Sequence, residues 1–201
     1  ARIATTYTIN VSCGERDYAL AHKLAHSSKH VVIYNALTSD KEPQGKKPFD
    51  PPSGKAVIGC VSRMFVQKDP FFFLEVARAC VLRREDVHFV WVGDGELMQE
   101  CRQFVADKGI GDHVSLVGYR EDIDAWLSVF DVFLSTAAYE GLPYTLVEAL
   151  RAGLPIVATN VVGNNEVVIH GENGFLFARG DVSDCIGYLD RLIDDEEEAK
   201  A

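Results

Sequence analysis

The chain lacks any apolar run approaching the roughly 18 residues of a membrane-spanning helix. No basic stretch followed by an apolar core opens it, and its first residue is Ala1, so a secretory leader is not expected. Positive charge is scarce: 20 Lys and Arg against 30 Asp and Glu give a formal net charge of -10, which argues against a broad nucleic-acid-binding surface. The five cysteines (Cys13, Cys60, Cys80, Cys101, Cys185) are odd in number, widely spaced and without a CxxC pair. That pattern disfavours a disulfide framework and a structural zinc site, and it fits a reducing, cytoplasmic setting. The two common phosphate signatures, GxGxxG and GxxxxGK[ST], are both missing. Apolar residues are not missing: at 47% of 201 residues they suffice for one packed domain, or for a domain plus a piece of another.

The sharpest break in composition is TSDKEPQGKKPFDPPSGK, residues 38–55, rich in Pro, Lys, Asp and Gly and free of apolar periodicity, which reads as a linker. Before it, TYTINVS and HVVIYN read as strands around a helix after Arg16, too little to bury a core alone and similar to the tail end of a preceding domain (residues 1–37). After it, short apolar runs alternate with amphipathic ones. The runs AVIGCV, VHFVWV, VSLV, DVFLS, PIVA and FLF predict a parallel sheet of about six strands with helices on both faces, an α/β, Rossmann-like domain over residues 56–193. Asp69-Pro70 marks one helix start, Glu96 a second, Glu121 a shorter third, and Pro143 a fourth that Gly153 stops. The last helix begins near Asp181 and fades into an acidic tail, residues 194–201.

In such a sheet, ligands bind beyond the carboxyl ends of the strands. Three segments there merit attention. Arg63 and Lys68 follow the first strand and could meet a phosphate group at the start of the Asp69 helix, although two solvated side chains would look the same in sequence. Gly93-Asp94-Gly95 ends the second strand and reads as an ordinary strand-to-helix turn. The fourth strand leads into TAAYEGLPYTLVEALRAGLP, where Pro143 suits a first helical position and leaves free amides for an anion. Glu140 lies just before that helix and Glu148 in its second turn; singly, each suits a structural role.

Together these segments resemble a known family. Glu140 and Glu148 form E-x7-E within EGLPYTLVEALRAGLPIVAT, with SRMFVQKDP and VGDGE upstream and VGNNEVVIHGENGFLF downstream. In that order they look like the C-terminal, donor-binding domain of retaining glycosyltransferases of family four, which have the GT-B fold. The resemblance implies that Arg63 and Lys68 neutralise the diphosphate of a nucleotide-sugar, that Glu148 holds the ribose hydroxyls, and that Glu140 positions the sugar. It implies further that amides of Gly141, Leu142, Thr145 and Leu146 cradle sugar and phosphate, and that the backbone at Tyr119 and Arg120 meets the base. Arg63, Lys68 and Glu140 would then carry the catalysis. Two departures are Ala36 after Asn35, where the family usually has Gly, and Val162 before Gly163, where it commonly has a Gly pair.

The implied reaction moves a sugar, most simply from a UDP-sugar, to a glycan or lipid-linked acceptor in cell-surface polysaccharide synthesis. It needs neither metal nor other cofactor. The acceptor would bind through an N-terminal domain that the residues before the linker cannot supply, so this chain is expected to bind donor without useful turnover. Peripheral attachment of a longer enzyme to the inner membrane face is compatible with the family, but nothing basic and amphipathic here argues for it. The alternative reading is a non-catalytic, nucleotide-sugar-binding regulatory module of the same fold. His22, His26 and His30 have helical spacing for a metal, yet Ser27-Ser28 interrupts the helix and no carboxylate or cysteine completes the set.

Overall fold

The computed structural model describes residues 5–37 and 48–195; the linker positions 38–47 and the tail from 196 lie outside the described residues. The first described segment forms β1 (Thr8–Asn10), α1 (Cys13–Ala21) and β2 (His30–Val32), with the strands parallel and Ile9 opposite Val31. The helix starts at Cys13 rather than after Arg16, because Ser12 caps it: the Ser12 hydroxyl accepts from the Glu15 amide at 3.1 Å. Ile9 in β1 (65%) and Ile33 just past β2 (54%) are largely exposed, so this segment presents apolar side chains that nothing among the described residues covers.

The second described segment runs β3 (Ala56–Val61), α2 (Pro70–Val81), β4 (Val87–Val92), α3 (Met98–Asp107), β5 (Val114–Gly118), α4 (Ile123–Leu127), β6 (Val132–Ser135), α5 (Tyr144–Arg151), β7 (Ile156–Thr159), α6 (Asn164–Val167), β8 (Gly174–Phe177) and α7 (Val182–Asp194). Its six strands pair in parallel in the order β5-β4-β3-β6-β7-β8, as the alternating runs predict. The chain enters at β3, winds outward to β5, then returns beside β3 and winds the other way. At that reversal the connections after β3 and β6 leave toward opposite faces, opening a crevice between their carboxyl ends.

Apolar side chains fill both faces of the sheet. On one, Phe73, Leu74 and Ala77 of α2 and Cys185 and Leu189 of α7 pack on Phe89, Trp91 and Leu134. On the other, Trp126, Leu127, Leu146 and Ala149 pack on Val57, Val90, Phe133 and Ile156. A fully buried side chain of this size contributes about 1.5–3 kcal/mol. In the run Phe71-Phe72-Phe73 of α2, Phe73 is fully buried, whereas the half-buried Phe71 meets Phe104 edge-on and the half-buried Phe72 stacks on Phe177. The second helix begins at Met98 rather than Glu96, and the NNEV turn α6 carries no periodic signal that a sequence could show.

Candidate functional site

The loop after β3 is pinned from two sides. The Ser62 amide donates to the Val92 carbonyl and the Met64 amide to the Asp94 carbonyl, both at 2.9 Å. Gly93 is required here, since a Cβ on it would lie 1.9 Å from the Ser62 carbonyl oxygen at a φ of +135°. A short 3-10 turn, Val66–Lys68, then leads to Asp69, which caps α2 from the left-handed region (φ 49°). The Thr136 hydroxyl beyond β6 donates to the Lys68 carbonyl at 2.9 Å, and the Ala138 amide donates to the Gln67 carbonyl at 2.7 Å. The two loops flanking the switch point are therefore stitched together, and Lys68 faces the start of α5.

There the Lys68 ammonium forms an ion pair with Glu140, both side chains largely buried at 17% and 8% exposure. With Ser62, Ser135, Thr136 and Thr145 they line a narrow polar cleft. Pro143 occupies the N-cap of α5 rather than its first turn (φ -73°, ψ 119°), and its side chain accepts nothing. The amides of Tyr144, Thr145 and Leu146 are thus without a side-chain cap, at the positive end of the helix dipole. One ammonium and a row of uncapped N–H groups thus meet in one cleft, an arrangement whose charge suits an anion.

Glu148 stands one turn further along, half-buried and with no hydrogen bond to its carboxylate among the described residues. Burial raises its pKa above the usual carboxylate value, Arg151 opposes that shift and Asp124 adds to it. A half-buried carboxylate with free acceptor oxygens suits polyhydroxyl groups better than solvent.

Not every expected residue gathers in this cleft. Lys68, Glu140 and Thr145 line it, and Gly141 abuts Gly163, whose added Cβ would lie 2.5 Å from the Gly141 carbonyl oxygen. Leu142 and Leu146 are buried, so only their backbone groups can meet a ligand, and the Leu142 carbonyl already accepts from Asn35 Nδ2 at 2.7 Å. Arg63 is exposed, its guanidinium 5.0 Å over the Phe65 ring, and it does not line the cleft. Tyr119 is 69% exposed after β5, with its carbonyl accepting from Arg120. The three histidines end on separate elements: His22 Nδ1 lies 2.9 Å from the Tyr18 carbonyl, His26 caps the 3-10 turn, and His30 meets Asn10. Among the described residues no group of His, Cys, Asp or Glu could hold a metal ion.

One carboxylate escaped the sequence reading. Glu166, in α6, accepts from the amides of Cys13 at 2.8 Å and Gly14 at 2.7 Å and from the Tyr34 hydroxyl at 3.1 Å. Burial works against its charge, but these donors outweigh it and hold the carboxyl below its ordinary pKa. These partners lie 153, 152 and 132 positions from Glu166, so no local spacing could reveal them.

Residues 55–195 match the family described as Glycosyl transferases group 1. Among curated proteins the chain is 36% identical, over 70% of its own length and 37% of the relative's, to an Escherichia coli protein named UDP-Gal:alpha-D-GlcNAc-diphosphoundecaprenol alpha-1,3-galactosyltransferase. It is 31% identical, over 83% of itself and 30% of the relative, to a Vi polysaccharide biosynthesis protein of Salmonella typhi. It thus spans about a third of the length of these relatives. Among solved structures, Anabaena HepE in complex with UDP and glucose matches with a TM-score of 0.83 at 24% identity, over 97% of this chain and 55% of that one. Staphylococcus aureus TarM matches with a TM-score of 0.83 at 24% identity, over 97% and 38%. At that identity the likeness establishes the fold, an α/β sheet of the GT-B type. Among the described residues no helix is long and apolar enough to cross a membrane.

Proposed function

The chain belongs to the glycosyl transferases group 1, and from that premise we propose that residues 56–193 are the donor-binding half of a retaining glycosyltransferase of family four. The donor is a nucleotide-sugar, taken to be a UDP-sugar, and the product is a glycan or lipid-linked glycan of a cell-surface polysaccharide. The observation that carries this reading is the pairing of Lys68 and Glu140 opposite the uncapped start of α5, at the crevice between β3 and β6.

In this reading the diphosphate lies across the amides of Gly141, Leu142, Thr145 and Leu146. Lys68 shares its ammonium between Glu140 and a phosphate oxygen, which its three N–H donors permit. Arg63, exposed and unconstrained by any ion pair among the described residues, swings onto the diphosphate from outside. Glu148 accepts from the ribose hydroxyls, the backbone at Tyr119 meets the base, and Glu140 orients the sugar. Transfer breaks the bond between the anomeric carbon and the phosphate oxygen, and the electron pair leaves on the diphosphate. The acceptor hydroxyl forms the new bond on the same face and yields its proton to the departing phosphate. Fixed charges and N–H groups stabilise that negative charge without reorganising, which is often the largest catalytic contribution.

The segment up to residue 37 is the end of the acceptor domain, and the exposed Ile9 and Ile33 suit strands of a larger sheet. The relatives are about three times as long as the matched stretch, which leaves room in a longer protein for an acceptor domain. The chain alone accordingly binds donor and turns over poorly.

Glu148 provides the test. Its folded pKa is raised, so the fold prefers the protonated form; that contribution is fully present below the unfolded pKa and is lost as pH rises through the folded one. At neutral pH, Glu148→Gln therefore melts higher than wild type while binding UDP more weakly. The loss expected is about 10- to 100-fold, that of hydrogen bonds to a charged acceptor. Calorimetric titration and a melting curve check both halves. Unchanged UDP affinity would remove Glu148 from the site.

A further inference from the structure

The 140–142 loop is framed on one side by residues of the first segment. A Cβ on Gly141 would lie 2.7 Å from Glu15 Oε1 and 3.1 Å from a Val11 methyl, and Asn35 Nδ2 donates to the Leu142 carbonyl at 2.7 Å. The other side of the loop is Gly163, which opens α6 and touches the Gly141 carbonyl. Between the two runs one polar contact. Glu166, three residues beyond Gly163, seats both carboxylate oxygens on the first amides of α1, at Cys13 and Gly14, and takes a third hydrogen bond from Tyr34, the neighbour of Asn35. Val162 completes the seat: a Cβ on Gly14 would be 2.5 Å from its Cγ1.

We propose that Glu166 is a positioning residue: by clamping the N-terminus of α1 and Tyr34 to the loop after β7, it fixes the 140–142 loop from both sides and so sets ligand affinity in the cleft without touching the ligand. The affinity part rests on the reading of the cleft as a nucleotide-diphosphate site. The geometry supports the clamp in three ways. The contact is bidentate, and carboxylate–amide bonds of this kind are among the stronger ones in proteins. Glu166 lies within the domain, whereas its donors belong to the segment before the linker. Glycines at 14, 141 and 163 admit backbone contact at each joint of the chain, so a shift at α1 passes to Gly141 through atoms in contact rather than across a gap.

The test uses the whole chain with Glu166→Gln, which keeps the shape but turns an NH2 group toward an amide donor, and with Tyr34→Phe, which removes the third donor together with its contact to Cys13 Sγ. Amide hydrogen exchange of residues 140–147 is measured alongside UDP titration and melting. In Glu166→Gln, exchange in 140–147 is expected to be about tenfold faster and UDP affinity about tenfold weaker, with the melting of the sheet nearly unchanged; Tyr34→Phe gives smaller changes of the same sign. Unchanged exchange in both variants overturns the clamp, whether or not UDP binds. Faster exchange with unaltered UDP affinity overturns its effect on the site. A wild-type chain that fails to bind UDP defeats the functional reading instead, and the exchange comparison still decides the clamp.

Discussion

Replacing Lys68 by Met is expected to abolish measurable UDP binding and to destabilise the chain by about 3 kcal/mol. Both effects follow from one ion pair. The Glu140 carboxylate is 8% exposed and Lys68 is its cation, so removing the ammonium leaves a nearly buried charge unpaired. Among the described residues the same ammonium is the one cationic side chain lining the cleft, so a diphosphate bound there would lose it too. In a domain of this length the melting temperature falls by about 2–4 °C per kcal/mol, giving a drop of roughly 6–12 °C. The double variant Lys68→Met/Glu140→Gln separates the two roles. It recovers most of the stability, because no charge is left stranded, and none of the binding. A double variant that regained UDP affinity would show that the ion pair is structural and that the diphosphate binds elsewhere.

The second large effect is steric. Gly163→Ala is expected to cost about 3 kcal/mol or more and to weaken UDP binding with it. Gly163 sits at φ +86°, a conformation that burdens any L side chain, and its Cβ would stand 2.5 Å from the Gly141 carbonyl oxygen and 3.0 Å from Glu140 Cβ. The backbone must move, and what it moves is the loop carrying Glu140. Gly171 is the matched comparison: its φ is +82°, but nothing lies within 4 Å of its Cβ position. Gly171→Ala therefore pays for conformation alone, about 1 kcal/mol, and leaves UDP affinity intact. Equal losses from the two substitutions, in denaturant unfolding, would mean that contact with the Gly141 loop contributes nothing.

The six strands of the sheet were legible in the sequence because a strand covered on both faces leaves a short unbroken apolar run, as in VHFVWV, all six residues of which are buried. The Asp69-Pro70 helix start was legible for a local reason too, since the capping side chain and the fixed proline φ act within one turn. Pro143 shows the limit of that logic. A proline fits both the cap and the first helical turn, and only the ψ of 119° imposed by the preceding loop selects the cap. The partners of Phe71 and Phe72 were not legible, because Phe104 of α3 and Phe177 of β8 approach them from distant parts of the chain.

At the candidate site, the residue types were visible and their pairing was not. The motif around Glu140 and Glu148 pointed to the loop and helix that border the Lys68 cleft. That Lys68 meets Glu140 while Arg63 stays outside depends on the Thr136 and Ala138 bonds that lock one loop onto the other. Glu166 was invisible for a stronger reason: its partners are backbone amides, which every residue but proline carries, so no residue type announces them.

Amide nuclear magnetic resonance of the labelled chain during titration with UDP tests the central claim most directly. The reading of the crevice as a diphosphate site predicts the largest shift changes at Gly141, Leu142, Thr145 and Leu146, with smaller ones at Lys68 and its turn, and little change at the opposite ends of the strands. Changes centred anywhere else, or none at UDP concentrations that saturate related sites, would contradict it.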